Sequence, residues 1–385
     1  MNIKKSDISF LLPLFFICLW GREYRGVSLS LVTVSLSIVI SVFIYQPFRD
    51  YVFSNKNKII ALLIGGYFLI NYLVGPIGDY RFSFRDFIED IYSLFIFIFF
   101  YKLAFFYYEP NGVVRNKVNL TILIGLLLNI IVCLFFSDTE WQHAYFQRLW
   151  NPYLLAFIPL LTVVAISRLY IILLLPVIIL LFYFSSSFQM AVAFLFLVTF
   201  LFVPEGVLSK INWRLFGFTI LIGFVLVQII ALNVDPMLIA EVDHNFGVRA
   251  VFWHEALQRF LEYPLGFGFG VTVVSGDMSF IGESAFQGGA DITDLGVHSG
   301  VMSILYKLGV FSIFVFYLVS KSLFGLGKAN IDNRSYVVLL FVFLLSFFSN
   351  DSMFSPHFSA SLGFVLGVLN GSIERHKYRL YTVSH

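Results

Sequence analysis

The chain has 385 residues, of which 59% are hydrophobic and 12% charged, and it carries 48 Phe and 20 Tyr. So little charge, gathered between long apolar runs, excludes a water-soluble globular domain and predicts a polytopic membrane protein. The formal net charge of +2 leaves no basic footprint for nucleic acid, and Cys18 and Cys133 sit inside apolar segments, which excludes a disulfide framework.

In chain order, apolar runs predict spans near 8–20, 27–45, 59–75, 87–107, 119–137, 151–167, 169–184, 187–203, 215–232, 299–319, 336–350 and 356–372. No small-residue cleavage site follows the first run, so it is expected to stay as an anchor. The expected fold class is all-α, a polytopic integral membrane protein of about 12 transmembrane helices with one large outer loop. An N-terminal bundle of about nine spans fills 1–232 and the large loop 233–298; about three C-terminal spans fill 299–372, and a tail fills 373–385.

Basic residues orient these segments. With Lys4 and Lys5 inside, sixteen of the 25 Lys and Arg residues fall on the inner side and seven on the outer, leaving both termini inside. The seven outer positives are all arginine: Arg22, Arg25, Arg81, Arg85, Arg148, Arg249 and Arg259. Arginine presents a planar fork that grips phosphate bidentately, whereas lysine is a hydrated point charge, so an arginine-only face suits a phosphate-bearing substrate at the outer leaflet. Snorkelling at the interface is the alternative, and it fits Arg22 and Arg25 best.

The loop 233–298 holds nine acids against Arg249 and Arg259, a net −7 with histidines neutral. Such a loop does not serve simply to hold anionic lipid. Its carboxylates suit the hydroxyls of a sugar, although for any single acid a solvated surface position is the simpler reading. From Arg249 to Glu262 the periodicity is helical. Phe252, Trp253, Ala256, Leu257, Phe260 and Leu261 form one face, and His254, Glu255, Gln258, Arg259 and Glu262 the other. Glu255 and Arg259 are placed to pair at i,i+4. Arg249 instead heads the apolar stripe one turn before Trp253. Pro264 is expected to end the helix, and Gly266, Gly268 and Gly270 free the backbone for a turn or a close approach.

The next span opens at His298, a side chain suited to proton transfer near neutral pH. Lys307 lies well inside that span. An ionisable group there is a candidate functional residue, with a structural pair to a buried acid or carbonyl as the alternative.

Arg249-x3-Trp253, the helix ending in Pro264-Leu265-Gly266-x-Gly268, and His298 with Gly309 eleven residues on resemble the O-antigen ligase and Wzy-type O-antigen polymerase superfamily. The match is carried by about 249–320, and the hydropathy layout agrees over the whole chain. Two further stretches are similar to that family: "QRLWNPYLLAF", with Arg148, Asn151 and Pro152, and the serine-rich "SSSFQMAVAFLF". The chain departs from the family at Tyr153, Gln189 and Ser299, and at Lys307, where the family residue is acidic.

The resemblance implies a glycosyltransferase of the bacterial inner membrane with its active site facing the periplasm. Its donor would be an undecaprenyl-pyrophosphate-linked oligosaccharide; a flippase and a chain-length regulator of the same pathway are the expected partners, beside membrane lipid. It implies His298 and Arg249 as catalytic residues, with Arg148, Asn151 and Trp253 binding substrate; the outer arginines Arg81 and Arg85 and the intramembrane Lys307 join that candidate set on their own chemistry. No metal or other cofactor is expected, since arginines can neutralise the leaving pyrophosphate; the one metal-like pattern is Glu241-x-Asp243 beside His244. Polymerisation of lipid-linked repeats is the favoured activity. The alternatives are ligation of glycan to lipid A core and transport of the lipid-linked sugar.

Overall fold

The computed structural model describes residues 4–18, 23–24, 27–55, 58–59, 62, 65–66, 84–107, 117–118, 120–122, 124–125, 128, 204–208, 210, 212–235, 238–239, 241, 244–271, 299–325 and, near the end, 359–360, 362–364, 366–368, 370–371 and 374. These residues are almost wholly helical, as the sequence predicts. Outside the helices lie the loop 263–271 and a two-residue antiparallel ladder, β1 (Glu23–Tyr24) against β2 (Val27–Ser28), which turns the chain between the first two helices.

Helix α1 (Lys5–Cys18) and α2 (Leu29–Ile44) pack as an antiparallel hairpin, tied where Ser9 Oγ at the start of α1 donates to the Ser41 carbonyl near the end of α2, 2.6 Å away. The α2 sequence LSLVTVSLSIVISVFI is rich in β-branched residues that favour strands in water. In an apolar surrounding the helix wins, because it satisfies every backbone polar group within one segment. Tyr45 is extended, and α3 (Gln46–Val52) leaves α2 at 107° with Pro47 in its first turn.

Helix α4 (Phe84–Tyr107) has 24 residues, about 36 Å at 1.5 Å per residue. Near its C-terminal end Phe99 and Phe106 pack on Phe48 of α3 with ring centroids 5.9 Å apart, so part of the phenylalanine excess is helix-to-helix filling. On another side α4 meets the last described helical residues at Gly363 and Gly367. A Cβ at either would collide with a main-chain oxygen, of Phe97 or of Tyr101. This four-residue glycine spacing lets the two backbones touch.

Two polar ties join segments distant in the chain. Asp7 in α1 accepts from Lys117 Nζ at 2.6 Å and from the Lys4 N–H at 3.0 Å. In the first half of α4, Asp90 accepts from Lys307 Nζ at 2.5 Å.

After a single helical turn, Glu205–Leu208, come α5 (Trp213–Asn233), α6 (His244–Glu262), α7 (Gly300–Leu308) and α8 (Ser312–Gly325), the last two joined by a single 3-10 turn, Gly309–Phe311. Among the described residues, one helical stretch, Gly300–Lys321, is long and apolar enough to cross a membrane, and the bent pair Val32–Ile44 and Gln46–Val52 makes a second if taken as one broken span. Other described helical residues overlap the apolar runs expected at 8–20, 59–75, 87–107, 119–137, 215–232 and 356–372. The runs at 151–167, 169–184, 187–203 and 336–350 lie outside the described residues.

Candidate functional site

Helix α6 begins at His244, five residues before the periodicity predicts, and ends at Glu262, two before Pro264. Its buried stripe is Ala250, Phe252, Trp253 and Ala256, packed into one core with Ala231 of α5, Phe267 and Val271 of the following loop, and Met302 and Tyr306 of α7. Arg249 is half-buried at the head of that stripe. Two residues depart from the expected faces. Leu261, placed on the apolar stripe by sequence, is 69% exposed. His254, placed on the polar face, sits 3.2 Å from the Ala231 carbonyl with its Nε2. Arg259 pairs with Glu255 as its spacing predicts, Nε to Oε1 at 2.6 Å.

The C-terminal turns of α5 bring α6 and α7 together. Gln228 Nε2 donates to Ser299 Oγ at 3.1 Å, three residues before Ala231 receives His254. Ser299 is the N-cap of α7, its hydroxyl also accepting from the Met302 N–H. The start of α7 and the middle of α6 therefore lie within about one helical turn of each other along α5.

At their other ends, α6 and α7 meet through the glycine loop. Gly309 has φ 55° and ψ −135°, a conformation reserved for glycine, and it stops α7. In an unbroken helix the Val310 N–H would bond the Tyr306 carbonyl, and the Phe311 N–H the Lys307 carbonyl. The loop supplies replacements. Val310 N–H donates to the Pro264 carbonyl (2.8 Å), Phe267 N–H to Tyr306 (2.9 Å) and Gly268 N–H to Lys307 (3.1 Å). The alternating glycines make this possible: Gly266, Gly268 and Gly270 all have φ near +80°, between 78° and 87°. A Cβ on Gly266 would lie 2.6 Å from both the Gly309 nitrogen and the Lys307 oxygen. The Phe267 ring then stacks on Tyr306, centroids 4.8 Å apart and nearly parallel at 7°.

Beside this junction stands the ion pair of Lys307 and Asp90, with side chains only 16% and 6% exposed. The same Asp90 oxygen accepts the Gly270 N–H at 2.9 Å. One carboxylate from α4 thus holds both the broken helix and the end of the loop. Lys307, expected to bind substrate or to pair with a buried acid or carbonyl, pairs with a buried acid in the fold. Asp90 escaped the sequence reading. Its signal was an acid inside an apolar run, which needs a cation, and Lys307 stands in the same predicament.

Of the other candidate residues, Trp253 is buried between α6 and α7, and Arg85 lies in the first turn of α4 with its side chain outside the described set. His298, Arg148, Arg81 and Asn151 lie outside the described residues, as does Asp243, while Glu241 is exposed. Protein-family models, curated proteins and solved structures contain no match to this chain.

Proposed function

We propose that the chain is a multi-pass membrane glycosyltransferase that polymerises lipid-linked oligosaccharide repeats from an undecaprenyl-pyrophosphate donor. The observation that carries this reading is the clamp at the end of α5. Gln228 and Ala231 hold Ser299 and His254 one turn apart, and His298 is bonded to Ser299 in the chain, about 3.8 Å between Cα atoms. The chain neighbour of His298 is thereby held beside the helix whose buried stripe is headed by Arg249. The Asp7–Lys117 pair supports a common side for the N-terminus and the segment before 119, as the positive-inside topology requires.

In the proposed reaction an acceptor sugar hydroxyl attacks the anomeric carbon of the donor glycan. The bond from that carbon to the pyrophosphate oxygen breaks, and undecaprenyl pyrophosphate leaves. His298 receives the hydroxyl proton, and Arg249 neutralises the departing charge. Loss of either group is expected to lower transfer by a factor of about 100 or more.

A transporter of the same lipid-linked sugar is the second reading, and the break at Gly309 beside a charged pair favours it, since transporters bind substrate at discontinuous helices. Purified protein in detergent, supplied with lipid-linked repeats, separates the two. Chain elongation that disappears in Arg249→Ala and His298→Ala but persists in Arg259→Ala supports the transferase. No elongation by wild type, or wild-type elongation by the first two variants, rejects it. Transfer to lipid A core in place of a second repeat would make the enzyme a ligase.

A further inference from the structure

Among the described residues Gly300–Lys321 is the single helical stretch with the length and apolarity of a span, and Gly309 is its tenth residue, about 14 Å from its first. The glycine loop docks at that level, and α6 reaches it running alongside α7. The last turns of α6 therefore descend beside the span instead of lying above it. They carry Glu255, Gln258, Arg259 and Glu262 to membrane depth, where a charge facing hydrocarbon costs at least about 2.5 kcal/mol. Yet Gln258 and Glu262 are exposed. By contrast Leu265 at the loop tip, and Ile313 and Phe314 in the first turn of α8, are 50%, 65% and 65% exposed, a surface suited to lipid.

We infer that α6 and its glycine loop form a re-entrant hairpin with two unlike sides. The loop tip meets lipid. The Gln258–Glu262 side borders a water-filled cleft, open to the outer face and reaching the level of the Lys307–Asp90 pair, that admits the hydroxyl-rich glycan. Irregular backbone at this depth is tolerated because the loop is bonded to the broken span, and polar side chains are tolerated because water follows them. The inference deepens the proposed function and rests on its membrane topology.

Cysteine scanning of the full-length protein in intact membranes tests it. In a Cys18→Ser, Cys133→Ser background, Gln258→Cys and Glu262→Cys are expected to react with a membrane-impermeant thiol reagent at least tenfold faster than Ile313→Cys or Leu265→Cys. The bulky adduct at Gln258→Cys should then cut elongation of lipid-linked repeats at least tenfold. Slow reaction at 258 and 262 with a silent 313 would overturn the cleft alone. Fast reaction with undiminished elongation would overturn its role as the glycan route. Fast reaction at all four positions would instead show that Gly300–Lys321 is not in lipid, and the membrane reading would fall with it.

Discussion

Gly309→Ala is the sharpest test of the junction between the glycine loop and the broken helix. The backbone there has φ 55° and ψ −135°, which for an L-residue costs about 1–3 kcal/mol. The new methyl group would also collide with the Pro264 carbonyl oxygen and with the backbone of Leu265 and Gly266. None of these is the far end of a flexible side chain, so the loop as a whole must withdraw. Withdrawal breaks the bonds from Val310 to Pro264, Phe267 to Tyr306 and Gly268 to Lys307. Each contributes about 0.5–1.5 kcal/mol, so strain and lost bonds together come to roughly 3–7 kcal/mol. At about 2 °C per kcal/mol for a longer chain, the melting temperature should fall by roughly 6 °C or more. Detergent-solubilised protein heated and then run on a fluorescence-detected sizing column reads this directly, with Val310→Ala as the control that keeps the backbone. A Gly309→Ala protein melting with wild type would refute the idea that the loop and the break are one structure.

Other expectations follow from the same contacts. Lys307→Met and Asp90→Asn each strand a buried charge or donor, a loss of about 3–5 kcal/mol. The double variant should recover much of it, because the amide introduced by Asp90→Asn keeps an oxygen for the Gly270 N–H; strictly additive losses in a thermal double-mutant cycle would sink the pairing. Gly363→Leu and Gly367→Leu should force the last helix away from α4 and reduce the folded yield from membranes, whereas normal yield from both would mean that their close approach is dispensable. Burial raises the Asp7 carboxyl, but the bond and charge of Lys117 and the N–H and charge of Lys4 outweigh it, so the group sits below its ordinary 3.8. Its contribution is then complete above that ordinary value and lost as pH falls through the lower folded one. Melting curves below about pH 4 should thus converge for wild type and Asp7→Asn, and a gap that stays constant with pH would contradict this.

The helical class was legible because the apolar runs are long and helix is the natural way to bury backbone in them, whereas one or two helices among the described residues, not twelve, have the length and apolarity of a span. The amphipathic period from Arg249 to Glu262 and the i,i+4 pair of Glu255 and Arg259 were legible for a similar reason, being local. Partnerships between distant segments were not. Lys307 announced a need for an acid, but only the fold chooses Asp90, 217 residues away. His254 reads as polar-faced from its position on the helical wheel, and it becomes a packing residue because α5 ends beside it. Gly266, Gly268 and Gly270 read as freedom. In the structure they are constraint, since three positive φ angles aim backbone N–H groups of the loop at the carbonyls that the Gly309 break exposes and at the Asp90 carboxylate.

The separation between Asp90 and Lys307 also has a meaning in time. The two residues are 217 positions apart, and at about 5–20 residues per second the ribosome needs roughly 10–40 s to travel from one codon to the other. Throughout that interval α4 carries a carboxyl group whose cation does not yet exist. On the proposed membrane topology, the nascent helix must hold Asp90 at the outer boundary until α7 arrives and draws it inward. Lys307 therefore acts as a late latch on assembly: a chain halted before it should leave α4 seated too shallow, its glycine loop without the carboxylate that ends it.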